Sequence, residues 1–268
     1  MKTSPKENLQ KLQQHSLHLE DPVQLPKVLD EYALSQHRAQ VALCLDISAT
    51  MYTLYASGKM QAFAEKILAL GVFFDENDEI DVFLFGDETH YVGEMNLENF
   101  KDFIPTAKQK FTSLGATEYD KVFQEVRKFY FPDAAGGPRT EPLKSDSLPV
   151  YVMFVSDGTT LEEEATEKQL AYSTYEPIFW QFMALGKGKD DAGTGVWGWI
   201  NRAFTKDFSF FQRLDDLAEG SKIDNADFFN VPDINALDDK KLYQLMMNEY
   251  PEWLELVTKA GILTTNES

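Results

Sequence analysis

The sequence predicts a doubly wound α/β fold: a central, mostly parallel sheet with one antiparallel edge strand and helices on both faces. Three observations carry this. Strand-like and helix-like segments alternate along most of the chain, the pattern that builds a parallel sheet. Several strand candidates are unbroken apolar runs, as strands covered on both faces must be. The longer segments between them repeat apolar residues with a period near 3.6, as helices packed on such a sheet do.

The first strand is the run VALCLD over 41–46, which ends in an acid. A helix over 59–74 follows, with Met60, Phe63, Ala64, Ile67, Leu68 and Leu70 as its apolar stripe and Ser57-Gly58 as starters. A second strand over 80–86 pairs with a short third one over 89–92, which forms the antiparallel edge. Helices over 97–110 and 118–130 come next, the former facing inward through Leu97, Phe100, Phe103 and Ile104, the latter with Val122, Phe123, Val126 and Phe129 as its apolar residues. The stretch 132–148 mixes Pro, Gly and charge and reads as an exposed loop. A buried strand over 150–156, a helix over 161–170 and a strand over 178–185 continue the alternation, and 186–198, with five glycines, is irregular. In the last third, Phe210, Phe211, Leu214 and Leu217 sit at helical spacing as core residues. A last strand over 222–230 and helices over 236–248 and 251–259 complete the chain. Ahead of the first strand, two helical pieces over 7–19 and 26–36 are separated by Pro22 and Pro26. The organisation read from this is a helical extension, 1–39, followed by a domain over 40–268.

Composition narrows the function. With 268 residues, 43% of them hydrophobic, the chain can bury a full core as one large domain or two small ones. The 44 acidic residues outnumber the 25 basic ones, giving a net charge of −19 that repels phosphate backbones. Nucleic acid is therefore not expected as a partner, whereas metal ions or a basic partner are compatible. The single cysteine, Cys44, permits neither an internal disulfide nor a cysteine zinc site, and a reducing cytoplasm fits best. Residues 1–10 are polar, unlike a secretory signal. No apolar run approaches the roughly 20 residues that a membrane span needs.

Doubly wound folds bind ligands beyond the carboxyl ends of their strands, so chemistry is sought there. The first strand empties into Asp46-Ile47-Ser48-Ala49-Thr50, three oxygen-bearing side chains at alternate positions. Gly115-Ala116-Thr117 offers a hydroxyl just before a helix, and Ser156-Asp157-Gly158 offers an acid at the end of a later strand. Carboxylate and hydroxyl oxygens suit a hard cation such as Mg²⁺. The plainer alternative is that Asp46 and the hydroxyls cap the following helix and Asp157 serves a turn. Capping does not account for Thr117 and Asp157 together.

This constellation resembles the metal-ion-dependent adhesion site (MIDAS) of von Willebrand factor A (vWA) domains: D-x-S-x-S, a downstream Thr after glycine, and Asp-Gly after a later strand. The resemblance maps onto Asp46, Ser48, Thr50, Thr117 and Asp157, with Thr50 in place of the second Ser and Ala116 where Gly is frequent. It implies a site for Mg²⁺, with Mn²⁺ or Ca²⁺ as alternatives, that grips an acidic side chain of a protein partner without breaking bonds. Farther on, Phe211-Gln212-Arg213-Leu214-Asp215-Asp216-Leu217 and Ile223-Asp224-Asn225-Ala226-Asp227-Phe228-Phe229 look like the tail of the TerF-like vWA group. That group is associated with bacterial tellurium-resistance and stress gene clusters, so the resemblance implies a cytoplasmic, non-catalytic interaction module in such a system. Read from the residues alone, Asp215, Asp216, Asp224 and Asp227 form either a second cation site or, more simply, capping and turn acids.

Competing signals are weaker. Gly193-Thr194-Gly195-Val196-Trp197-Gly198 spells a dinucleotide motif, yet it does not directly follow the first strand as that motif requires. The Trp197 and Trp199 pair marks this segment instead as a candidate contact for a partner. The main enzyme alternative is a haloacid-dehalogenase-like phosphatase using Asp46 as nucleophile. Ser48 stands where its second acid is needed, so the general acid/base is missing. His15, His18, His37 and His90 are scattered without metal-ligand spacing.

Overall fold

The computed structural model describes residues 4–111, 117–143, 147–158, 160, 162–186, 208–219, 223–234 and 237–263. The described strands are β1 (Gln40–Asp46), β2 (Glu79–Phe85), β3 (Thr89–Asn96), β4 (Val150–Ser156), β5 (Ile178–Leu185) and β6 (Ala226–Val231). They form one sheet in the order β3-β2-β1-β4-β5-β6. Every neighbouring pair is parallel except β2 and β3, so the expected sheet with its antiparallel edge is present. The order reverses direction between β2-β1 and β1-β4, placing the end of β1 at the switch point where such sheets open a crevice.

The helices, in chain order, are α1 (Pro5–His15), α2 (Gln24–Glu31), α3 (Tyr52–Ala56), α4 (Lys59–Phe74), α5 (Phe103–Lys108), α6 (Tyr119–Tyr130), α7 (Glu163–Ser173), α8 (Ser209–Glu219), α9 (Asp239–Met246) and α10 (Tyr250–Lys259). Alternation along β1 explains how they divide. Val41, Leu43 and Leu45 join the core shared with α1, α2, α4, α9 and α10, whereas Ala42 and Cys44 join the core shared with α6, α7 and α8. β4 does the same, with Tyr151, Met153 and Val155 on one side and Val150, Val152 and Phe154 on the other.

The residues ahead of β1 pack directly onto the sheet's α4 side. A capping box at Ser4 and Glu7 starts α1, and Ser16 in the left-handed region ends it. Two buried carboxylates then hold the connecting strand of chain. Glu65 accepts the His18 N–H at 2.8 Å, and Asp239 accepts the Asp21 N–H at 2.9 Å while pairing with Lys66. Each anchor is a charged acceptor out of water, where a hydrogen bond from the main chain satisfies it.

Some elements differ from the sequence expectation. β3 runs on to Asn96 rather than stopping at 92, because the hairpin register continues past a bulge at Val82/Phe83. The helix expected over 97–110 shrinks to α5, since 96–100 is a turn closed by Asn96 and Asn99 side chains. The last strand begins at Ala226 rather than 222. A 3₁₀ turn (Ala49–Met51) and α3 lie in the β1–α4 connection, where no element was expected. Leu217, expected in the core, is instead 45% exposed, and Phe129, one of the apolar residues of the 118–130 helix, is 41% exposed. The stretch 186–198, except Gly186, falls outside the described residues, and with it the glycine motif and both tryptophans.

Packing of α4 on β2 has a sharp requirement. A Cβ on Gly71 would stand 2.5 Å from Ile80 Cγ2 and 2.7 Å from the Glu79 carbonyl oxygen. The oxygen belongs to a strand and cannot step aside. Gly71→Ala is therefore expected to destabilise by about 1–3 kcal/mol despite the better helix propensity of Ala, as a fall in thermal midpoint would show.

At the start of β2, burial pushes the Asp75 carboxyl up to about 6, Asn77 pulls it back, and Glu79, Asp81 and Glu76 add to the rise. A carboxyl raised in the folded state contributes stability that is full below pH 4 and is lost as pH climbs through 6. Asp75→Asn should accordingly raise the melting temperature at pH 8 and leave it unchanged at pH 4. A variant less stable than the native chain at pH 8 would contradict this.

Candidate metal centre

β1 delivers Asp46 to the rim of the sheet in an extended conformation, and the Ile47 N–H still bonds the Phe85 carbonyl at 2.8 Å. The chain then turns at once. The Ser48 N–H donates to Asp46 Oδ1 at 2.7 Å, and the 3₁₀ turn brings Thr50 back toward Ser48, their hydroxyl oxygens 3.0 Å apart. The Tyr55 hydroxyl, one helical turn on, donates to the Asp46 carbonyl at 2.8 Å and fixes the turn from below.

β4, adjacent to β1, supplies the other half. The Thr50 hydroxyl donates to Asp157 Oδ1 at 2.7 Å. The Ser156 hydroxyl donates to Asp46 Oδ2 at 2.5 Å. Asp46, Ser48, Thr50 and Asp157, spread over more than a hundred positions of sequence, thus form one hydrogen-bonded set. Thr117 lies on the same rim: its carbonyl accepts the Thr160 hydroxyl at 2.9 Å, and Thr160 Oγ1 also accepts the Tyr119 N–H at 3.2 Å. Its own hydroxyl is in no hydrogen bond with the other four among the described residues. Gly115 and Ala116 lie outside those residues.

Ser156, Tyr55 and Tyr119 were not singled out from sequence. Ser156 was visible in the Ser-Asp-Gly triplet, as the strand's last residue and thus on the face opposite Asp157. Its hydroxyl lies 2.7 Å from that of Tyr119, which also lies 2.7 Å from the Gly158 carbonyl. Tyr119 is buried and Tyr55 half-buried, and desolvation of each hydroxyl pushes it well up. No local motif marks either one.

The electrostatics favour a cation. Asp46 is 1% exposed and Asp157 4%. Burial pushes the Asp46 carboxyl up, hydrogen bonds from Ser156 and Ser48 pull it back, and the charge of Asp157 raises it further. Among the described residues no Lys or Arg pairs with Asp46. Two carboxylates and two hydroxyls on one rim are hard oxygen donors, the set that a divalent ion such as Mg²⁺ takes together with water. The residues present fit such an ion.

The acids farther along fall into a different place. Oxygens of Asp215 on α8, Asp227 on β6 and Glu249 ahead of α10 lie within 4.8 Å of one another. Asp227 also accepts Gln181 Nε2 at 3.0 Å, and Asp224 accepts the Ala226 N–H at 3.4 Å as a turn acid does. Glu249 had no sequence signal, being brought in only by the packing of α10.

A six-stranded sheet in this order, one antiparallel edge and helices on both sides define a vWA-type fold. The chain belongs to the vWA-TerF-like family, the vWA found in the TerF C terminus, whose model matches residues 38–263. A Bacillus subtilis protein, YcbR, itself described as uncharacterized, is 27% identical over 243 residues, covering 90% of this chain and 87% of its own. Among solved structures, a crystal form of proximal thread matrix protein 1 from the mussel byssus superposes with a TM-score of 0.50 at 12% identity. The match covers 80% of this chain and 48% of that one, so the likeness spans about half of the mussel protein. A second structure of the mussel protein, at a TM-score of 0.49, holds zinc in its MIDAS motif. No helix among the described residues is long and apolar enough to cross a membrane.

Proposed function

We propose that this protein is a non-catalytic, divalent-cation-dependent protein-interaction module. Asp46, Ser48, Thr50, Thr117 and Asp157 hold the ion, which is Mg²⁺ in the first instance. The observation that carries this reading is the hydrogen-bonded set joining the end of β1 to the end of β4, with its two buried carboxylates. An ion seated there offers a positive, oxygen-seeking centre at the switch point of the sheet, and an acidic side chain of a partner protein completes its coordination. Membership of a TerF-like family supports a bacterial stress or tellurium-resistance-type setting and a cytoplasmic location.

The test is capture. Immobilised native chain is exposed to lysate of the source cells with Mg²⁺ or with chelator, beside an Asp157→Ala variant, and Mg²⁺ uptake by each is measured calorimetrically. A retained protein that elutes with chelator and is missed by Asp157→Ala is the expected result. Equal Mg²⁺ uptake by the variant would sink the site. Metal-dependent release of phosphate from an aryl phosphate, abolished by Asp46→Ala, would replace the reading with the phosphatase.

A further inference from the structure

The antiparallel edge of the sheet carries a second surface, on β3 and β2, with β3 two strands removed from β1 and its candidate metal centre. β3 is the outermost strand, and no strand pairs with its other side among the described residues. On the face toward α6, Asp81 registers against Glu94 and Phe83 against Tyr91. Tyr91 and Phe129 are both 41% exposed, with ring centroids 4.7 Å apart. Buried Phe83 backs them, 5.2 Å from Tyr91 and 5.6 Å from Phe129. Scattered surface aromatics need no explanation, but two in contact on a third form a continuous apolar patch.

Carboxylates surround this patch. Glu79, Asp81 and Glu94 converge on it, all three acting on the Tyr91 hydroxyl, and among the described residues none is ion-paired with Lys or Arg. The nearby Lys11 and Arg38 are committed to Asp78 and Glu76. Asp81 is held by the hydroxyls of Tyr130 at 2.5 Å and Tyr91 at 2.9 Å, donors that bring no positive charge. Burial raises the Glu79 and Asp81 carboxyls, and Glu94 raises both further, a sign of charge unmet within the fold.

The geometry points to this edge as a docking surface for an extended, arginine- or lysine-bearing segment of a partner protein. A guanidinium stacks on exposed ring faces and donates in-plane to carboxylates, and Tyr91, Phe129, Glu79 and Glu94 present both within one patch. An extended segment laid along β3 would place alternate side chains on this same face. A second copy of the chain is the poorer occupant, since it carries a net charge of −19 and would bring its own acids to the contact. On the proposed reading of the metal rim, this surface takes a basic partner and that rim an acidic one, the first at the β3 edge and the second where β1 and β4 end.

The probe is a blocked octapeptide alternating Arg and Thr, titrated calorimetrically into the full chain beside a Glu–Thr counterpart. The Arg–Thr peptide should bind and the Glu–Thr peptide should not. Glu79→Gln with Glu94→Gln should weaken binding about tenfold, and Phe129→Ala about fivefold, with melting temperatures confirming that each variant folds. Asp216→Asn with Glu252→Gln removes the same charge from exposed positions elsewhere and should change affinity less than about twofold. Equal losses in the two double variants would reduce the effect to general attraction by an acidic chain and overturn the proposal. So would absence of binding, or a dimer in sedimentation that Phe129→Ala dissolves, which would assign the surface to a second copy.

Discussion

Arg127→Met is expected to cost about 3–5 kcal/mol of folding free energy, the loss seen when one partner of a buried ion pair is removed. Arg127 and Glu176 are fully buried side by side, Nε to Oε2 at 2.8 Å and Nη2 to Oε1 at 2.9 Å. The remaining donors are also spent: Nη1 bonds the Gly136 carbonyl at 3.0 Å and Gln169 Oε1 at 2.5 Å, and Nη2 bonds the Gly137 carbonyl at 2.9 Å. One guanidinium thereby ties α6 to α7 and to the loop after α6. Methionine fills the space but leaves Glu176 a buried charge with only Arg139, at 3.0 Å, to meet it. Lysine should not rescue fully, because a point charge cannot serve five directions at once. Denaturant unfolding would read the loss, and Arg127→Met with Glu176→Gln should recover part of it. Arg213→Met is the control. Its side chain is 45% exposed beside Glu163 and Glu167, and removing it should cost less than about 1 kcal/mol. Equal effects at the two arginines would refute the argument.

Asp46→Asn should separate the fold from the ion. The amide keeps an acceptor for the Ser48 N–H and a polar contact for the Ser156 hydroxyl, the two groups that Asp46 now satisfies. It removes the charge that faces Asp157. In chelator, then, the variant should melt no lower than the native chain. In Mg²⁺ the native chain should gain about 2.7 kcal/mol at a hundredfold excess over its dissociation constant, and the variant should gain nothing. The native chain consequently overtakes the variant only when metal is present. A variant that melts lower in chelator and still responds to Mg²⁺ would show that Asp46 holds the loop and not an ion.

Much of the architecture was legible beforehand because it depends on short-range pattern. The runs at 41–46, 150–156 and 178–185 are apolar at every position or nearly so, and only strands covered on both sides answer to that. The α4 stripe was equally plain. D-x-S-x-T was recognisable because the three side chains that meet at the turn are adjacent in the chain.

The misread positions share a cause. Val122, Phe123, Val126 and Phe129 look like one apolar stripe of α6, yet Phe129 is exposed and Arg127 is buried. That choice was made by Glu176, Gly136 and Gly137, which meet Arg127 only in the folded chain. Leu217 likewise sits at core spacing on α8, but the helix turns it outward. Ser156, Tyr55 and Tyr119 support the candidate metal centre by hydrogen bonds across elements, and Glu249 joins Asp215 and Asp227 only through the packing of α10.

By itself, then, the sequence determined the alternation of elements, the parallel sheet and the oxygen donors at two strand ends, since each is written in neighbouring residues. The tertiary structure alone decided which charge is buried, which aromatic rings reach water at the β3 edge, and that Thr50 meets Asp157 at 2.7 Å. Hydrogen bonds and desolvation act over a few ångströms in space, and distance along the chain does not report that separation.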